Sequence, residues 1–409
     1  MSKLFKTLTT LMMVLCLSVF FVACDNDDTT DDGDATTGEL VFELVTEERD
    51  TDDDGDKEEY EFYKITGYTV TSEDAIKMAE GDFSTVSGKR EITIPATHEN
   101  LPVEEIGASA FADQVILKKI TFAENNNIKT IGSDAFSGCV NLTEIVNLPF
   151  VGKSADAANE ERVFGFVFGS STTLSGVTDV TSKIYYEATS TDYTYKFPSG
   201  LKKLSIASRV IPECAFYGMT MLEEVELTYV PTANDDGEME YMVIGANAFY
   251  GCSKIDEIKL TNVEYIYDGA FGGCTALQRL DLGGNTVLKY IGDDAFSGCS
   301  YLGYNYVTDD EATIKIVLPD TVTYLGKNAF KSCSLLKYIE LGSGITVIRT
   351  GAFAECTELV KVTAKATAVE VKDASFNSCK EDLEFTVNGV KVKLSDLAYG
   401  KYEPEVELQ

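Results

Sequence analysis

Tryptophan is absent from the 409 residues, and histidine occurs once. Without an indole, the favoured platform for stacking a sugar ring is missing, which leaves that role to the 21 tyrosines. The single histidine, His98, sits in a loop flanked by Pro95 and Pro102. It reads as a loop residue, and it leaves no Ser-His-Asp set to complete. Basic residues are scarce too: 34 Lys and Arg stand against 67 Asp and Glu, a net charge of −33. A surface that acidic repels phosphate backbones, and no basic stripe offsets it, so nucleic acid is excluded as a partner. The chain has no Cys-x-x-Cys metal pair and no phosphate-binding glycine loop between a strand and a helix. Among the many carboxylates no glycosidase pair stands out. No enzymatic activity is expected.

A phenylalanine recurs in a fixed setting, at Phe111, Phe136, Phe216, Phe249, Phe271, Phe296, Phe330, Phe353 and Phe376. Most gaps are 22 to 25 residues, two are 33 and 34, and one is 80. Segment 324–341, YLGKNAFKSCSLLKYIEL, is a clean copy: aliphatic residue, glycine, Ala-Phe, then Cys, Leu, Ile and Leu at set intervals. A period of this size is the mark of a solenoid, whose repeats bury a core only by stacking on their neighbours. Leu336-x-x-Ile339-x-Leu341 has strand spacing, with alternate residues inward. A second short strand precedes the glycine, as in 322–325 or 345–348. Ala-Phe-x-x-Cys is spaced like one helical turn. Gly132, Gly245, Gly292 and Gly326 let the chain turn into it, and Ser133 or Asp293 can cap it. The fold class expected is a solenoid of β-rich α/β repeats, with one or two short strands and a short helical turn per coil.

Seven of the ten cysteines fall three residues after a repeat Phe: Cys139, Cys252, Cys274, Cys299, Cys333, Cys356 and Cys379. One structural position reused seven times argues for a ladder of buried thiols rather than a disulfide framework. Met219 fills the same slot after Phe216, and Gln114 fills it after Phe111.

Residues 1–23 read as a signal peptide. Lys3 and Lys6 form its positive start, and an apolar run follows from Leu11 to Val22. The ending Ala23-Cys24 resembles a bacterial lipobox, which implies Cys24 as the lipidated first residue. Residues 24–38 are too polar and acidic to bury anything and read as a disordered tether. Acidic residues straight after the lipidated Cys resemble the surface-export signal of lipoproteins in Gram-negative gut anaerobes. The resemblance implies an outer-membrane protein anchored by lipid and displayed at the cell surface, with a periplasm-facing protein as the alternative.

Residues 39–95 read as an N-terminal β cap and lead-in, with strands at 40–45 and 60–65 around a charged tip. Asp50, Asp52, Asp54, Gly55 and Glu61 match the spacing of a calcium-binding loop. The flanks are extended rather than helical and Lys57 interrupts the loop, so the expectation is no resident cofactor, with weak calcium binding as the sharper alternative. Residues 72–82 read as a short amphipathic helix or a loop. Residues 96–382 carry the repeats, and 383–409 a closing hairpin, turning at Asn388-Gly389, and a polar tail.

The pattern I-G-x-x-A-F-x-x-C-x-x-L-x-x-I resembles the BspA-like leucine-rich repeat of bacterial surface proteins. The resemblance implies an adhesin-like protein that engages host or bacterial proteins through its solenoid. Outward strand positions would then form the binding row: Glu224, Glu226, Glu257, Lys259, Arg279, Asp281, Tyr338, Glu340 and Lys361. The insertion near 150–200 contains VFGFVFGSS, where Phe164, Phe166 and Phe168 can supply a degenerate coil, followed by a Thr- and Tyr-rich hairpin. Its Tyr185, Tyr186, Tyr193 and Tyr195 are candidates for glycan contact, or simply pack across the hairpin. A structural surface protein without a ligand is the third reading.

Overall fold

The computed structural model describes residues 39–51, 56–69, 90–171, 174–186, 189–305, 307, 310–393 and 400–402. The expected signal peptide, Cys24, the tether, Asp52, Asp54, residues 72–82 and the last seven residues lie outside them.

Two ladders of parallel strands and one ladder of turns make the repeat region. The first ladder carries the Leu-x-x-Ile-x-Leu strands. Glu91–Ile94, Lys119–Phe122, Glu144–Leu148, Lys203–Ile206 and Glu224–Leu227 pair side by side. Glu257–Lys259 then pairs with Arg279–Asp281, and Ile316–Val317 begins a last set running through Tyr338–Leu341 and Lys361–Ala364 to Glu384–Val387. The second ladder is built from the shorter strands ahead of each Ala-Phe. It runs from Val210–Ile211 through Met242–Ile244, Val263–Ile266 and Tyr290–Ile291 to Tyr324–Leu325. Val347–Ile348 and Val369–Val371 continue the same role.

The third ladder departs from the expected helical turn. Ala-Phe-x-x-Cys is not an α-helical segment. Its backbone reaches the next coil instead: the N–H groups of Phe111, Phe216, Phe249, Phe271, Phe296 and Phe330 donate to alanine carbonyls one coil on, at 2.7 to 2.9 Å. Within the segment itself the bonds are i→i−3, such as Cys299 to Phe296 at 3.2 Å. The residues two before and two after each repeat Phe have positive φ, for example Asn247 at 54° with Gly251 at 73°, and Asn328 at 53° with Ser332 at 58°. Left-handed backbone at both flanks breaks any helix and favours Asn, Asp and Gly, whose steric penalty there is lowest.

The glycines at 132, 245, 292 and 326 serve a different purpose from the one expected. None has positive φ. A Cβ on Gly326 would lie 2.3 Å from the carbonyl carbon of Gly292, and one on Gly132 would lie 2.3 Å from the backbone nitrogen of Ala108. They are needed because the backbones of successive coils touch there. Asp293 caps its neighbour rather than its own turn, since its Oδ1 accepts the N–H of Lys327 in the next coil at 2.8 Å.

The core is a column of rings. Phe249, Phe271, Phe296, Phe330 and Phe353 stack at centroid spacings of 5.3 to 5.7 Å with planes within 8°. Across the long gap, Phe136 meets Phe168, Phe168 meets Phe164, and Phe164 meets Phe216 at 5.2 Å, so the degenerate coil keeps the column unbroken. Phe166 is only half-buried. All eight cysteines among the described residues are free. Each of the seven ladder thiols donates to the carbonyl of the Phe one coil back, at 3.1 to 3.3 Å. Burial pushes the thiols of Cys139 and Cys274 up to about 12.

Antiparallel strands close the ladders. Leu40–Arg49 and Glu58–Tyr68 form the opening hairpin, and the second of these runs parallel to Leu101–Ile106. At the far end Val390–Val392 folds back on Glu384–Val387 through Asn388 and Gly389, both with positive φ. The tail does not simply trail away: Gly400–Tyr402 pairs antiparallel with Val369–Val371.

Candidate functional site: the outward faces of the two ladders

Every second residue of a first-ladder strand faces out, and strand register lines these residues up from coil to coil. Glu91, Lys119, Glu144, Lys203 and Glu224 stand in one column of alternating sign. The pairing is direct: Lys119 to Glu144 at 3.0 Å and Lys203 to Glu224 at 2.6 Å. The expected binding residues share this pattern. Arg279 Nε donates to Glu257 at 2.9 Å. Glu340 lies between Lys315 and Lys365 at 2.6 and 2.8 Å. Burial would raise its carboxyl, but the two ammonium groups outweigh that and hold it below the usual glutamate range. Lys361 meets Glu311, on the one-turn helix Glu311–Ile314, at 3.0 Å. Asp281 accepts the N–H of Gly283 at 2.7 Å. Glu226 and Lys259 are exposed, and Tyr338 is half-buried. Five of the nine expected residues, Glu224, Glu257, Arg279, Glu340 and Lys361, are thus held in ion pairs. Such exposed cross-strand pairs contribute roughly 0.2–1 kcal/mol each, so they define register more than they stabilise.

The inserted hairpin forms as expected, Val177–Tyr186 against Thr189–Pro198. Tyr185 and Tyr186 pair with Ser190 and Thr189 near its tip. Tyr195 is not available as a ligand contact. Its ring is buried, and a Cβ on Gly165 would fall 2.1 Å from it. Tyr193 lies half-buried beside it, with ring centroids 6.4 Å apart. Tyr193 and Tyr195 thus pack at the base of the hairpin, and Tyr195 belongs to the core.

At the opening hairpin, Asp50 follows the first strand directly, while Glu61 stands inside the second, opposite Thr46. The flanks of the acidic loop are strands, as the sequence suggested. His98 is not a bare loop residue. It belongs to the two-residue strand Thr97–His98, and its ring stacks on Phe42 at 3.8 Å with Tyr63 edge-on at 4.7 Å. Nearby, buried Glu104 accepts hydrogen bonds from Arg49 at 2.8 Å and Tyr60 at 2.7 Å, and pairs with Lys129 at 2.7 Å. Burial works to raise this carboxyl, but its three partners prevail and it lies below its ordinary value.

The second ladder carries a feature that repeat-by-repeat reading did not single out. Tyr265, Tyr290 and Tyr324 occupy the same outward position in consecutive coils. Tyr290 and Tyr324 stack at 4.4 Å and 11°, and Tyr267 leans on Tyr290 at 5.7 Å. Arg349 lies over the ring of Tyr324 at 4.2 Å. Tyr267 and Arg349 stand where other coils have the close-approach glycine, and both turn onto a tyrosine of an adjacent coil. The signal was present in YIYDGAF, YIGDDAF and YLGKNAF, once these are aligned on the Ala-Phe.

The family model for BspA type leucine rich repeat regions matches six copies, over residues 58–154, 188–314 and 304–397. The chain belongs to that family. Solved leucine-rich repeat proteins are among the structures similar to this BspA-type chain. One from Bacteroides ovatus is 20% identical, with 84% of this chain and 77% of that one covered and a TM-score of 0.33. A leucine rich cell surface protein from Faecalibacterium prausnitzii is 18% identical, with 88% and 89% covered and a TM-score of 0.28. The pneumococcal vaccine antigen PcpA is 16% identical, with 77% of each chain covered and a TM-score of 0.29. No curated protein matches the chain. BspA-type repeat proteins are typically surface-associated and act by binding or as structure rather than by turnover. No helix among the described residues is long and apolar enough to cross a membrane.

Proposed function

We propose that this BspA-type protein is an adhesin-like binding protein, held at the outer membrane by lipid on Cys24 and presenting its solenoid to a host or bacterial protein. The observation that supports this reading most is the regularity of the outward faces. Coils in register place side chains on a fixed grid about 4.8 Å apart, which suits many modest contacts with an extended protein surface. The acidic tether, residues 24–38, would set the solenoid away from the membrane.

Protease treatment of intact cells tests display, and expression of Cys24→Ser tests the anchor. Cleavage of the protein at the surface and release of the variant from the membrane fraction are expected. Protection from protease while the cells stay sealed would refute display. The acidic tip between the opening strands is proposed to be a solvated turn, so millimolar calcium should leave the melting temperature unchanged. A clear calcium-dependent rise would restore the loop as a cation site.

A further inference from the structure

Five of the nine expected first-ladder residues are already ion-paired, and that raises the question of where a partner would find unspent contacts. Interfaces draw their energy from tyrosine and arginine at positions shielded from water, with charged residues depleted at the centre. On this acidic protein one outward strip has that composition: Tyr265, Tyr267, Tyr290, Tyr324 and Arg349. Tyr267 is 41% exposed, while the others are half-buried. The residues preceding three of the tyrosines, Glu264, Lys289 and Thr323, border a surface depression of about 340 Å³ whose apolar lining includes Val287 and Tyr241.

The state of Arg349 is the informative detail. Of the other arginines, Arg49, Arg162, Arg209 and Arg279 each meet a carboxylate, while Arg90 is exposed to solvent. Arg349 meets none among the described residues, and its Nε has no hydrogen-bond partner. Nε is buried, and the guanidinium plane is held over Tyr324, so the group is pre-oriented with no carboxylate spent on it. Tyr290 and Tyr324 stack on each other and Tyr265 on Tyr267, and the Tyr324 hydroxyl donates to Asp293, so the rings of the strip are engaged mainly with one another rather than set apart to receive a sugar ring.

We propose that the tyrosine strip of the second ladder, ending at Arg349, is the protein-docking face, and that its partner is a protein surface presenting a carboxylate to Arg349 beside an apolar side chain that enters the neighbouring depression. This rests on the binding reading above and names the face and the chemistry. The carboxylate would take a two-pronged, charge-assisted bond from a guanidinium that has already lost its rotational freedom. The protein's overall negative charge disfavours an acidic partner at long range, so the carboxylate belongs to a partner that is otherwise neutral or basic.

The test uses a phage-displayed library of random twelve-residue peptides selected on the full chain. Selected peptides are then measured against the wild type, Arg349→Gln, Tyr267→Ser and the first-ladder reversal Arg279→Glu, with circular dichroism checking each fold. Expected are peptides carrying Asp or Glu next to an apolar residue, with binding weakened about tenfold or more by Arg349→Gln and by Tyr267→Ser but not by Arg279→Glu. Binders indifferent to both strip variants and lost on Arg279→Glu would overturn the strip while leaving the protein-binding reading in place. A library that yields no binder would count against both.

Discussion

Phe296 provides the strongest test of how this molecule is held together. Its ring is fully buried, with Phe271 on one side at 5.3 Å and Phe330 on the other at 5.3 Å. Replacing it with alanine removes the filling of one layer and opens a cavity that neither neighbour can reach, because both are fixed by their own coils. Buried Phe→Ala changes cost about 3–5 kcal/mol, and a site that cannot collapse belongs at the upper end. Phe376 is the control. It is only half-buried, stacks on Phe353 on one side, and meets Phe385 edge-on at 5.8 Å. The same substitution there should cost roughly half as much, in proportion to the apolar area removed from water. With no tryptophan to report, urea melts are followed by far-ultraviolet circular dichroism, and hydrogen exchange locates the damage. Because each coil touches mainly its neighbours, Phe296→Ala should also split the melt, with the coils on its two sides losing protection separately. If Phe296→Ala cost no more than Phe376→Ala, the ring column would not be the core that its geometry indicates.

Thiol labelling gives a second measure. Cys379, half-buried and pushed up to about 11, should react first among the ladder thiols, and Cys274, pushed up to about 12, much later. A native protein whose ladder thiols all label at the rate of a free cysteine would contradict their burial. Glu104→Gln should loosen the opening hairpin and flatten the acid limb of the stability curve. The folded carboxyl lies below its unfolded value, so its contribution is present at neutral pH and is lost as pH falls through the folded value, under the ordinary glutamate range. A melting temperature that falls as steeply with acid in the variant would refute this. Gly326→Ala should destabilise by about 1–3 kcal/mol, because its Cβ would meet backbone. Gly237→Ala, in open space but at φ 79°, should cost about 1 kcal/mol. Equal losses in urea melts would remove the distinction between crowding and conformation.

The solenoid, its two strands per coil and the thiol ladder were legible because each rests on a side-chain pattern with a fixed period. Cys and Phe recur at one offset, and burial follows from that. What periodicity could not reveal was the direction of the backbone bonds. Ala-Phe-x-x-Cys has the side-chain spacing of a helical turn whether its N–H groups bond within the coil or to the next one. The deciding signal was Asn247, Asp294 and Asn328 two residues ahead of the Phe, residues that favour left-handed backbone. Candidate sites fared less evenly. Outward strand positions were placed correctly, but their mutual ion pairs depend on which rungs are adjacent. Tyr195 could not be told from Tyr193 without knowing that Gly165 lies beneath it. The strip ending at Arg349 spans four coils and is invisible within any one of them.

The bond between each ladder thiol and the preceding coil has a consequence for the history of the chain. Strand pairing, turn pairing and the thiol–carbonyl contact all run from one coil to the next with the same donors and acceptors. A coil is therefore an interchangeable cassette: a duplicated copy finds on each side the partners its parent had, and a deleted one leaves ends that still match. The shared backbone and thiol contacts would carry over to a gained or lost coil, while the ion pairs and ring contacts particular to each junction would have to be remade. The long insertion between Phe136 and Phe216 shows how much foreign sequence a junction can accept when Phe164 and Phe168 keep the register.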